Sequence, residues 1–186
     1  MKKPAIIFLI SILTATAIYA RPIGGINMPD TLKAEKETLV LNGAGIRNKF
    51  FVDVYVSGLY LKAKNSNAQA ILNADEAMAV RLHITSSIIN GERMAKATNE
   101  GFVKSTNGNT APLRTRIDQF IAVFNSGIKV NDVYDIIYIP GEGIKVYKNG
   151  AYKSTTKGLD MKKALFGIWI GAKPPQADMK KAMLGL

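Results

Sequence analysis

The chain has no cysteine, one histidine and one tryptophan in 186 residues. Without cysteine there is no disulfide framework, no thiolate nucleophile and no zinc ribbon. His83 has no thiol or second imidazole to join, so a zinc site of ordinary composition cannot form and His83 reads as structural or as an exposed strand residue. The four residues "NGAG" (42–45) do not fit a dinucleotide fingerprint, because a strand follows them where a helix is required. No G-x-S-x-G elbow for a serine nucleophile occurs either. The acidic pairs Asp75-Glu76 and Glu35/Glu37 lie in polar, turn-like surroundings and read as surface. These absences leave no expected catalytic residue, cofactor or metal.

Acidic residues are scarce as well: 14 Asp and Glu stand against 25 Lys and Arg, for a net charge of +11. Such an excess draws anions of many kinds. The lysines are scattered ("KAEKE", "KAK", "MKK" twice) and not gathered with aromatics into a stripe, which argues against nucleic acid. A solvated lysine-rich surface and contact with an anionic membrane surface remain.

One hydrophobic run is long, and it comes first. "MKKPAIIFLISILTATAIYA" has a basic start, an apolar stretch and small residues near its end, the layout of a secretory signal peptide. Cleavage after Ala20 is expected, with Ala15 to Ala17 as an alternative site. An uncleaved anchor is the competing reading, since the run approaches the ~17–25 residues that span a bilayer. Loss of Lys2 and Lys3 would leave +9. The expected location is periplasmic or secreted. Residues 21–186 then form one domain, nearly half apolar, with no later segment able to cross a membrane.

What is there is mostly strand and amphipathic helix. The segment "RPIGGINMPDTLKAEKE" is turn-rich, with room for one short strand before "ETLVLNG". From Phe50 onward Val52, Val54 and Val56 are expected on one side of a strand and Phe51, Tyr55 and Leu59 on the other. A strand apolar on both sides is buried on both, so the sheet is covered by another layer.

Residues 66–74 predict a short helix and "MAVRLHITSSII" a strand. A helix capped by Asn90 follows, with Met94, Ala97, Gly101 and Phe102 on one face. Leu113, Ile117, Phe120, Ile121 and Phe124 recur at helical spacing up to Gly127. Three strands come next, the last two joined by Asn149-Gly150, a strong hairpin signal. A helix ending at Gly171 and a terminal one carrying Met179 and Met183 close the chain. The fold class is α+β, an antiparallel sheet with helices layered on one face.

The stretch "LNGAGIRNKFFVDVYVSGLYL" (41–61) resembles the chalcone isomerase-like family, and so does the closing "FGIWIGAKPPQADMKKAMLG". The resemblance runs from about Leu39 to Leu184. It implies an open-faced β-sandwich with a pocket between sheet and helices, in a family that holds both isomerases and non-catalytic fatty-acid binders. Arg47 takes the place of the arginine that supports a substrate oxyanion in the isomerases and grips a carboxylate in the binders. Tyr55 stands where the isomerases have threonine and the binders tyrosine. The isomerases' helix tyrosine falls on Glu92 or Arg93, their asparagine on Asn99 or Glu100, and their serine or threonine after the proline on Gln176. With those hydroxyls altered, chalcone cyclisation is not expected.

The resemblance thus implies binding of a fatty acid or other small apolar carboxylate, with Arg47, Tyr55 and Asn99 as ligand-binding residues. The alternatives are a chalcone isomerase-type intramolecular lyase on another substrate and a cell-envelope interaction protein with no small ligand. One geometric condition attaches to the first. Eight residues of straight strand span ~26 Å, so Arg47 and Tyr55 converge only if the chain turns or bulges near Asn48 and Lys49.

Overall fold

The computed structural model describes residues 20–186. The expected leader lies outside the described residues except for Ala20, which opens the first strand. β1 (Ala20–Ile23) and β2 (Ile26–Pro29) form a separate hairpin. Then β3 (Thr31–Ala34), β4 (Glu37–Lys49), β5 (Val52–Leu61), β6 (Met78–Ile84), β7 (Val133–Ile139), β8 (Gly143–Lys148) and β9 (Ala151–Thr156) make one antiparallel sheet in chain order. The turn-rich start therefore carries three short strands where one was expected. The sheet curls, bringing β3 over β6 and β7, and Lys145 of β8 pairs with Glu35 in the β3–β4 turn.

Helices fill the connections. α1 (Ala68–Asn73) lies between β5 and β6. α2 (Gly91–Ser105) and α3 (Arg114–Ile121) lie between β6 and β7, and α4 (Leu159–Ile170) and α5 (Ala177–Met183) follow β9. The helices line one face of the sheet, as the period-3.6 patterns require of surfaces that must be buried somewhere. Asn67 and Asn90 cap α1 and α2, accepting from Ala70 N at 3.0 Å and Arg93 N at 2.9 Å. α2 buries Met94, Thr98 and Phe102, one residue per turn; Thr98 takes the place expected of Ala97. Edge-to-face rings Phe102, Phe120, Phe124 and Tyr134 join α2 and the α3 segment to β7. None of the described helices is long and apolar enough to cross a membrane.

β5 is buried on both faces, but its alternation breaks once. Register passes from Arg47↔Tyr55 to Asn48↔Asp53, which leaves Val54 as an extra residue on β5. A bulge re-aims side chains: Val54 joins Tyr55 and Leu59 in the helix-side core, while Val56 and Tyr60 pack on the other face with Met28 and Leu32. The expected common side for Val52, Val54 and Val56 is corrected accordingly. β6 ends at Ile84, beside that bulge; Thr85 N donates to Val54 O at 3.1 Å and its hydroxyl to Asp53 O at 2.8 Å.

A second bulge sits at Asn42 on β4, between the pairs Leu41↔Tyr60 and Gly43↔Leu59. Asn42 is buried and fully engaged: Nδ2 donates to Met183 O at 2.9 Å and Oδ1 accepts from Asn65 N at 2.8 Å. A buried amide needs such partners, and here they tie β4 to α5 and to the segment between β5 and α1.

Candidate functional site

The glycines of "NGAGIR" explain how the site is assembled. After the Asn42 bulge, Gly43, Gly45 and Arg47 alternate onto the face of β4 that meets α5. A Cβ at Gly43 would lie 2.1 Å from Ala182 O, and one at Gly45 would lie 3.0 Å from Met179 Cα. The missing side chains let α5 lie directly on the strand. That seating brings Gln176, just before α5, against Arg47. Gln176 Oε1 accepts from Arg47 Nη1 at 3.2 Å and from Asn48 N at 2.9 Å, and its Nε2 donates to Ile46 O at 3.2 Å.

Arg47 and Tyr55 are direct cross-strand partners. The chain reverses at Phe50-Phe51, so the ~26 Å of a straight strand collapses to the ~5 Å between side chains on facing residues. Convergence thus comes from a tight turn just beyond the expected Asn48 and Lys49, with the Val54 bulge swinging the strand inward.

Between this hairpin, α2 and α4 lies a cavity of about 170 Å³, walled by Val54, Ile89, Met94, Thr98, Ile168 and Trp169. Tyr55 is buried beside it, and Trp169 Nε1 donates to its oxygen at 3.4 Å. Burial pushes the Tyr55 phenol up, opposed by the Trp169 hydrogen bond and by the nearby Arg47 charge. The phenol therefore keeps its hydrogen at neutral pH, and that hydrogen has no acceptor among the described residues. Arg47 is half-buried; its Nη1 is held by Asn48 O and Gln176, while Nε and Nη2 have no partner among the described residues. Half of a guanidinium fork and a phenol hydrogen are left to meet something else.

The mouth is cationic. Arg47, Lys49, Arg93, Lys104 and Lys173 line it against one carboxylate, Glu100, and none of the five belongs to an ion pair among the described residues. Elsewhere the acids are spent on other bases, as in Arg116–Asp160 and Lys148–Asp132. Unpaired cations around a low-dielectric hollow concentrate positive potential there.

A family model described as chalcone isomerase-like matches residues 20–185. The chain belongs to the chalcone isomerase-like family. Among solved structures, its fold is similar to that of a fatty-acid binding protein from Arabidopsis thaliana, with a TM-score of 0.69 and 18% identity over 89% of this chain and 94% of that one. At that identity the likeness speaks for the fold. No curated protein sequence matches the chain significantly.

Of the three residues that membership in the chalcone isomerase-like family suggested, the structure brings together Arg47 and Tyr55. Asn99 is not among the residues lining the cavity; its Oδ1 accepts from Arg114 Nη1 at 2.8 Å, which links α2 to α3. Glu100, the other candidate for that position, does line the cavity, as does Arg93. Thr98 and Trp169 were missed. The only tryptophan of the chain, set between glycines in "FGIWIG", was the available signal for the second; Thr98 gave none beyond its helical spacing from Met94 and Phe102.

A larger cavity, about 540 Å³, opens on the other face of the sheet over Arg81, Asp135, Ile137 and Tyr147. Its arginine is already neutralised, with Nε and Nη2 donating to the two Asp135 oxygens at 2.6 and 2.8 Å. Lys33 on its rim has no ion pair among the described residues, against Glu35 on the same lining, whereas the smaller cavity sets five such cations against one carboxylate and is the better anion site.

Proposed function

We propose that this protein binds a small apolar carboxylate between its sheet and its helices. The observation that carries the reading is the pair Arg47 and Tyr55: facing residues at one cavity, each with unsatisfied donors, one charged and one neutral. The free Nε and Nη2 of Arg47 match a carboxylate's two oxygens, and the Tyr55 hydrogen adds a third bond from below. A buried phenol hydrogen without an acceptor is costly, and an anionic head group would accept from it while pairing with the half-buried guanidinium. The apolar wall then takes the tail, worth ~0.8 kcal/mol for each buried methylene.

The cavity sets the size of the tail. A space of roughly 150 Å³ holds a single benzene ring, so about 170 Å³ suits a short aliphatic or one-ring aromatic acid better than a long-chain fatty acid. The fatty-acid binding protein of similar fold supports the binding class. On the leader pattern, we further propose that the domain acts after export, as a carrier outside the cytoplasm.

The single tryptophan supplies the assay, because Trp169 touches Tyr55 and lines the cavity. Titration with short and aromatic carboxylates should change its fluorescence saturably, while the corresponding alcohols should bind far more weakly. Arg47→Met should weaken acid binding about 10- to 150-fold, the equivalent of the ~1.5–3 kcal/mol of a hydrogen bond to a charged group. Equal affinity for acid and alcohol, or an unaffected Arg47→Met protein, would remove the basis of the proposal.

A further inference from the structure

A two-residue hairpin turn with both central residues at positive φ is of type I′, where Asn-Gly minimises the steric cost. The β8–β9 turn follows that rule with Asn149 (φ 51) and Gly150 (φ 79). The β4–β5 turn has the same backbone but carries Phe50 (φ 50) and Phe51 (φ 64). Bulky residues are strained in this region, and burial offsets nothing here, since Phe50 is 80% and Phe51 106% exposed. The turn thus breaks two folding preferences at one place, and such a place is where a functional demand is to be sought.

Its surroundings define the demand. The turn adjoins the cavity mouth, since Arg47 and Lys49 lead directly into it and Val54 follows it. The Lys49 ammonium lies 5.5 Å from the Phe50 ring centre. Arg93, Lys104 and Lys173 add positive charge on the same rim, without acidic partners among the described residues. Two exposed aromatic rings, one of them beneath Lys49, next to a rim whose basic residues outnumber its one carboxylate, Glu100, match the interface of an anionic bilayer, where phenylalanine rings bury at the headgroup–acyl boundary and basic side chains meet anionic headgroups.

We propose that Phe50 and Phe51 are a wedge that enters an anionic lipid surface, with Lys49, Arg93, Lys104 and Lys173 against the headgroups and the cavity mouth facing the lipid. The contact stands apart from the ligand reading. Its use, passing an apolar acid between bilayer and cavity, rests on that reading.

The test is co-sedimentation of the purified protein with phosphatidylglycerol–phosphatidylethanolamine vesicles and with pure phosphatidylcholine vesicles. Binding to the anionic vesicles should exceed that to phosphatidylcholine by tenfold or more and fall steeply with salt, given about fivefold per basic residue at the surface. The double variant Phe50→Asn/Phe51→Gly installs the favoured turn, so its melting temperature should hold or rise while its vesicle affinity drops at least tenfold. Amide hydrogen exchange at residues 49–52 should slow when vesicles are added to the wild-type protein, a readout that needs no variant to fold. Unchanged exchange there, or a double variant that sediments like wild type, overturns the proposal. So does a dimer in vesicle-free solution that the double variant abolishes, because the rings would then face protein. The Trp169 response to carboxylates should survive in the double variant, which separates failure of lipid docking from failure of ligand binding.

Discussion

Gln176 holds Arg47 from 129 positions away in the chain, accepting from its Nη1 at 3.2 Å while donating to Ile46 O on the same strand. Where the resemblance implies a hydroxyl in the family's isomerases, this chain has a longer amide that bridges strand and guanidinium. Gln176→Leu should weaken carboxylate binding about five- to tenfold, roughly the ~1 kcal/mol of one hydrogen bond, and leave binding of the matching alcohol unchanged. Paired titrations of Trp169 fluorescence check this. Equal losses for acid and alcohol would mean that Gln176 shapes the cavity and does not aim the arginine.

Gly43 should tolerate no side chain. A Cβ would meet the backbone oxygen of Ala182 at 2.1 Å, and backbone cannot rotate away as a side chain can. Gly43→Ala is expected to cost ~1–3 kcal/mol of stability, the range for overpacking a filled interior, read from the shift in urea midpoint. Carboxylate affinity should fall with it, because lifting α5 withdraws Gln176. An alanine variant as stable as wild type would show that α5 is not seated on the strand.

Lys162 is wholly buried, and its Nζ donates to Ile71 O at 2.6 Å, Leu72 O at 3.0 Å and Ala74 O at 2.9 Å, closing the end of α1. Lys162→Met would strand those carbonyls and should destabilise the fold by ~2–3 kcal/mol. Burial pulls the Lys162 ammonium down to about 8, helped by Lys163 and opposed by Asp75 and Glu76. Its folded value is therefore below the ordinary ~10.4 of lysine. Between these two values the unfolded chain holds the extra proton, so stability contributed by Lys162 increases with pH. The gap between wild type and Lys162→Met should widen from pH 8 to pH 10 in denaturant titrations; a constant gap counts against the assignment.

The tyrosines act with the opposite sign. Burial, with the hydrogen bond and charge of Asp75, pushes the Tyr138 phenol up to about 12, and burial raises Tyr55, Tyr60 and Tyr134 as well. Above ~10 the unfolded chain loses these protons while the folded one keeps them, so stability contributed by these groups is lost as pH climbs. Phenolate absorbance for these groups should appear in one step together with loss of tertiary structure. A gradual rise in a protein still folded would contradict it.

Much of the scaffold was legible. Asn67 and Asn90 begin their helices and Gly127 and Gly171 end theirs because capping is local chemistry, settled within a few residues. Asn149-Gly150 announced its hairpin for the same reason. Val54 was assigned to the wrong side because a bulge depends on what a neighbouring strand can pair with, which lies outside any window of sequence. Asn99 followed from alignment along a helix, where a shift of one residue turns a side chain by ~100°; its neighbour Glu100 faces the cavity instead. The Phe50-Phe51 turn ran against the turn rule, so no local preference could have located it.

The sequence by itself determined the alternation of apolar residues, the capped helices, the excess of positive charge and the resemblance that singled out Arg47 and Tyr55, because each is written in residue type and near spacing. Tertiary structure alone decided that the glycines of "NGAG" are a seat for α5, that Gln176 reaches Arg47, and that five cations gather at the mouth without an ion pair among the described residues. The first two relations join residues more than a hundred positions apart, and the third draws on three separate stretches of chain, which only the folded layers bring together.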